Sequence, residues 1–127
     1  QHCLKVREIL AGEGWPEEYI RAVQSHGWGI CSEVEPVERM ENVLYTIDEL
    51  TGLIAAAALV RPSRSVLDLE VKSVKKKWKD KAFAARVNRE VIEKGAARLG
   101  MALDEVIKET IAGMRKVAAE IGLQGNL

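Results

Sequence analysis

The chain has 127 residues, 47% of them hydrophobic, and 19 basic against 19 acidic side chains, which suits one domain with its own core and argues against intrinsic disorder. Its longest apolar run covers residues 53–60 and stops at Arg61-Pro62, well short of the ~18 uncharged apolar residues of a bilayer span, so no membrane insertion is expected. With Gln at position 1 and no basic start leading into an apolar stretch and a cleavage site, the sequence predicts a cytoplasmic protein.

Zero net charge hides an asymmetry. Residues 1–60 carry 4 basic and 10 acidic side chains, residues 61–81 carry 8 and 3, and residues 82–127 carry 7 and 6. The prolines at 16, 36 and 62 each fall where a helical apolar period begins or stops. A first helix is predicted over residues 2–11, with Val6, Ile9 and Leu10 facing inward and Gly12 and Gly14 ending it. Trp15-Pro16-Glu17-Glu18 opens a second, because proline suits the first helical position and the glutamates complement the positive end of the dipole. Its stripe is Tyr19, Ile20 and Val23, and residues 27–35 form a loop.

A long helix over residues 36–60, roughly 37 Å at 1.5 Å per residue, carries Val37, Met40, Val43, Leu44, Ile47, Leu50, Ile54 and Ala58 at steps of three and four. Pro62-Ser63-Arg64-Ser65 breaks it, and Ser65 caps a lysine-rich helix over 66–79 built on Leu67, Val71, Val74 and Trp78. Two further helices are predicted, over 84–98 on Val87, Val91 and Ile92, and over 103–121 on Val106, Ile107, Ile111, Met114, Val117 and Ile121, with Gly122 as a left-handed stop. The expected fold is all-α, a single domain over 1–127 with five or six helices around a long central one.

The only two histidines, His2 and His26, project roughly coreward on the first and second helices, and Asp48 borders the stripe of the long helix. Three helices thus offer His, His and Asp along one seam, the minimum protein ligand set for a divalent ion such as Zn, Fe, Mn or Mg. A frayed His2, a capping His26 and a surface Asp48 would need no metal, and this bland alternative stays open on spacing alone. Cys3 and Cys31 fit no CxxC pattern and are read as reduced thiols filling apolar space rather than as a disulfide. A Cys3–His2 nucleophile is disfavoured because adjacent helical residues point about 100° apart.

The segments His26-Gly27, Val43-Leu44-Tyr45-Thr46-Ile47-Asp48-Glu49-Leu50-Thr51-Gly52-Leu53-Ile54, Arg61-Pro62-Ser63 and Val71-Lys72-Ser73-Val74-Lys75-Lys76-Lys77 resemble the C-terminal part of HD-domain proteins, the metal-dependent phosphohydrolases. The resemblance implies an all-helical fold and places His2 and His26 as two later histidines of the family's metal set, with Asp48 as its terminal aspartate. The defining His-Asp dipeptide occurs nowhere in the chain. The expectation is therefore an HD-domain-like protein that is catalytically incomplete as this chain, either a C-terminal portion of a longer protein or a remnant. The alternative is a non-catalytic helical module for dimerisation or binding.

Apolar surface on residues 2–60 left without covering helices predicts a homodimer or a domain swap. In the basic island, Arg61, Arg64 and Lys72 are candidate ligands for the phosphate of a small molecule or nucleotide, aided by helix N-terminal amides near Val66 and Leu67. Interleaved Glu70 and Asp80 and the neutral total speak against nucleic acid. No GxSxG, GxxxxGK[ST] or GxGxxG motif is present.

Overall fold

The computed structural model describes residues 2–83, 85 and 87–127. It contains α1 (His2–Gly12), α2 (Glu17–Ser25), α3 (Arg39–Leu59), α4 (Val71–Lys79), α5 (Arg89–Leu99) and α6 (Leu103–Lys116). Among the described residues there is no strand, only one isolated bridge between Trp28 and Ser32. The all-helical expectation is met, with α3 as the element that contacts α2, α4, α5 and α6.

The apolar core lies against the C-terminal half of α3. Leu50, Leu53, Ile54 and Ala58 meet Val74 and Trp78 of α4, Ile92 and Ala96 of α5, and Val106, Ile107 and Ile111 of α6. α3 and α5 come close together at Gly95, which sits on Thr46 with no room for a Cβ. Leu123 from the tail seals the far side, and its carbonyl accepts from the Val66 amide at 2.9 Å. Arg115 spans the same loop, donating to the carbonyls of Val66 (3.3 Å) and Leu69 (2.8 Å), so a buried segment without helical hydrogen bonds keeps its polar atoms paired. α3 is long and apolar enough to cross a membrane, with an 18-residue window of mean hydropathy 1.2, but this core packing accounts for its apolar face.

Several boundaries differ from the sequence reading. α3 starts at Arg39, because Pro36 is buried outside the helix and Glu41 caps the start by accepting from the amides of Val37 (2.8 Å) and Glu38 (3.0 Å). Val37 and Met40 are consequently exposed, not part of the inner stripe. The lysine-rich helix begins only at Val71. Ser65 caps a turn, accepting from the Leu67 amide at 3.0 Å, while Val66 and Leu69 anchor the loop in the core and Leu67 points out. α5 starts at Arg89 under an Asn88 cap that accepts from the Val91 amide at 3.2 Å; Ala84 and Arg86, within the expected start at 84, lie outside the described residues. α6 ends at Lys116, five residues early, and leaves Val117 and Ile121 exposed; Gly122 does take the left-handed conformation (φ 74°) and ends the turns that follow.

Candidate metal centre

The N-terminal helices form a different kind of layer. α1 turns Cys3 inward, with Val6, Arg7 and Leu10 half-buried along the same line, so of the expected stripe Val6 and Leu10 face inward while Ile9 is 59% exposed and His2 is exposed beside it. Arg7 ties α1 to α2, donating to Gln24 Oε1 at 2.8 Å and to Glu17 Oε1 at 2.6 Å. α2 is tied to α3 by Arg21 Nε, 3.1 Å from Oε2 of the buried Glu41. Tyr19, expected in the stripe of α2, is exposed, whereas Ile20, Ala22, Gln24 and Ser25 are buried.

His26 ends α2, half-buried, and His2 opens α1, exposed and so less coreward than its helical projection. Their rings meet edge to face, with centroids 5.3 Å apart and the two Nε2 atoms 3.3 Å apart. His26 Nδ1 lies against the Val23 carbonyl, which can only accept, so Nδ1 carries the proton and the Nε2 of neutral His26 presents a lone pair. That lone pair accepts Nε2–H from His2 or, when neutral His2 carries its proton on Nδ1 instead, both Nε2 atoms present lone pairs that serve one cation. Two metal–nitrogen bonds of about 2.0–2.1 Å at a tetrahedral angle place the nitrogens roughly 3.3–3.4 Å apart, and the observed separation is 3.3 Å. The donor set is chemically suited to a borderline ion, and the Val23 carbonyl behind His26 is the partner that orients a ligating imidazole.

A third donor is Cys3. The ligating atoms of His2, Cys3 and His26 all lie within 4.8 Å of one another, close enough to hold one ion. Burial, and after it the hydrogen bond to Cys31, pushes the Cys3 thiol up to about 11. Asp48 is on the same side of the fold. It lines a cleft of about 310 Å³ with Val23, His26, Leu44, Ile47 and Thr51, and its charge is felt at Cys3, but its carboxylate stands outside the tight cluster of three. Helical spacing groups His2 with His26 and Asp48 and carries no signal for Cys3 as a third donor.

Trp28 fixes the turn that follows His26. Its ring is 5.6 Å from that of Tyr45, with Lys94 Nζ 4.1 Å and the Arg98 guanidinium 4.9 Å from its centroid. Arg98 also donates to Asn42 Oδ1 (2.7 Å), Glu35 Oε1 (3.2 Å) and the Pro36 carbonyl, so α5 holds the loop before α3 in place. Burial raises the Tyr45 phenol above its ordinary range, with the nearby Arg98 charge opposing.

No family model, curated protein or solved structure matches the chain.

The candidate phosphate ligands sit elsewhere. Arg61 pairs with Asp68 at 2.9 Å, Lys72 with Glu70 at 3.3 Å, and Arg64 is exposed on the loop with φ 53°. Among the described residues no hydrogen bond or ion pair joins the three, and the helix N-terminus expected beside them at 66–67 is displaced to Val71. Arg61 lies beyond the end of α3, whose axis covers roughly 16 Å between residues 48 and 59.

Proposed function

We propose that this chain is an HD-domain-like helical module, related to metal-dependent phosphohydrolases, in which His2 and His26 hold a divalent cation and Asp48 brings negative charge to the rim of the site. The observation that carries the reading is the pair of Nε2 atoms 3.3 Å apart, one of them given its lone pair by the Val23 carbonyl behind the ring. A divalent cation bound there supplies Lewis-acid charge to polarise a phosphate oxygen and to lower the pKa of water. The chain's own residues bind and orient. His26 is aimed by Val23, His2 is carried to it by the docking of α1 on α2 through Arg7, and Asp48 brings negative charge to the rim of the same cleft.

The family's early histidine and His-Asp pair have no counterpart in these 127 residues, so the chain contributes a part of the ligand set and not a complete reaction centre. A phosphorylated small molecule or nucleotide is the ligand class that goes with this reading. Elemental analysis of protein dialysed against zinc or manganese tests it. About one equivalent is expected in the native chain, with loss in His26→Ala and weakening in Asp48→Ala; a native chain free of metal under those conditions rejects the reading.

A second reading, a non-catalytic module that self-associates, is favoured by one observation: Leu4, Ile9, Trp15, Tyr19, Val37 and Met40 are all exposed on the N-terminal half. Sedimentation at tens of micromolar separates the two, since a dimer dissolved by charged substitutions at Leu4 and Ile9 and indifferent to metal supports association alone.

A further inference from the structure

Next to the two imidazoles lies a pair of sulfurs, of which Cys3 alone belongs to the donor group of the candidate metal centre. Cys3 Sγ and Cys31 Sγ are 2.7 Å apart, and both cysteines are free thiols. The pair is built by the backbone around it. Gly27 stands beside both sulfurs, and a Cβ there would overlap each of them, so the absence of a side chain makes the space in which they meet. The turn carrying Cys31 is closed on the Gly27 carbonyl, which accepts from the amides of Ile30 (3.0 Å), Cys31 (2.9 Å) and Ser32 (3.2 Å), and a further bond joins the Gly29 amide to the Ser32 carbonyl at 3.0 Å. Cys3 is held from the other side by α1, with Gln24 donating to its carbonyl at 3.5 Å.

The two thiols differ in access. Cys3 is 1% exposed, whereas Cys31 is half-buried and both line a cleft of about 640 Å³ bordered by Gly29, Ile30, Glu33 and Val34. A small oxidant in that cleft meets Cys31 first, and the sulfur that can answer it is already in contact. Closing the bond asks for a shift of about 0.7 Å between the sulfurs.

We propose that Cys3 and Cys31 are a redox site that closes to a reversible disulfide with a peroxide as oxidant. The Cys31 sulfur attacks one oxygen of hydrogen peroxide, the O–O bond breaks, and the products are the Cys31 sulfenic acid and water. The Cys3 sulfur then attacks the Cys31 sulfur, the S–O bond breaks, and the oxygen leaves as a second water carrying the Cys3 proton. Two thiols and one peroxide thus give one disulfide and two waters, with two electrons passing from sulfur to oxygen. Reduction by a dithiol reverses it. The step uses no metal, and joining the sulfurs takes Cys3 out of the donor group it shares with His2 and His26.

The test uses the full chain, reduced, freed of metal with a chelator and treated with hydrogen peroxide. Both alkylatable thiols should disappear together, the intact monomer should become lighter by two hydrogen atoms, and digestion should yield a Cys3–Cys31 linked peptide that dithiothreitol separates. In Cys3→Ser, Cys31 should stop at the sulfenic acid and be trapped by dimedone; in Cys31→Ser, Cys3 should stay a thiol over the same time. The native chain carries the result even where a variant folds poorly. Two thiols still alkylatable after peroxide, further oxidation of Cys31 without linkage, or disulfides formed only between molecules would each overturn the proposal. Because metal is excluded, none of these outcomes bears on the cation-binding reading.

Discussion

The two halves of this molecule solve the packing problem differently. The half built on residues 50–123 is held by apolar side chains from four helices, a loop and the tail around one core. The half built on α1, α2 and the first turns of α3 buries few large apolar groups and is held by polar ones: Gln24, Ser25, Glu41, Asn42 and Thr46 are buried there. Hydrophobic burial is non-directional and tolerates approximate placement, whereas paired polar groups fix positions to within a hydrogen bond. The polar half is where the two imidazoles and two sulfurs converge, and a layer held by Arg7, Arg21 and Glu41 is suited to placing a few donor atoms accurately.

That contrast can be broken by substitution. The largest effect is expected in the apolar half, where Leu50→Ala should cost about 2–5 kcal/mol of unfolding free energy in urea titrations by leaving a cavity. The same truncation at Ile9 should stay within about 0.5 kcal/mol because the side chain is already in water. A comparable loss from Ile9→Ala would mean that α1 is covered in solution. An intermediate effect belongs to the polar half. Glu41→Ala strands the amides of Val37 and Glu38 and one side of Arg21, a loss of roughly 1–3 kcal/mol, and it should loosen α2 against α3, visible as faster amide exchange at residues 20–25 with α5 and α6 unchanged. Uniform exchange through both halves would deny that the polar layer is a separate unit.

Much of the C-terminal half was legible in the sequence, because the steps of four from Leu50 through Ile54 to Ala58, or from Ile107 to Ile111, are also the steps that bury. The same rule misread the N-terminal half. Val37, Met40, Tyr19 and Ile9 keep a helical period yet face water, since the face that docks there is chosen by Glu41, Arg21 and Arg7, whose partners lie on other elements. Ser65 looked like a helix cap and is a turn cap; nothing local distinguishes the two, and the delay of α4 to Val71 comes from Arg115 and the tail holding residues 63–69. At the candidate site, the meeting of His2 and His26 follows from their places on consecutive helices, but His2 is exposed where its projection pointed coreward, and Asp48, expected on the same seam, stands outside the tight cluster. Cys3 and Cys31 were not readable as a pair, because a separation of 28 residues carries no period and their meeting depends on the tight turn at Gly27.

The most direct measurement of the central claim is a long-range proton–nitrogen spectrum of the imidazoles, simple to assign in a chain with only two histidines. The account predicts a neutral His26 protonated at Nδ1, and a joint shift of both Nε2 resonances that is complete at one equivalent of zinc. A His26 ring protonated at Nε2, or zinc that moves one histidine without the other, would contradict it.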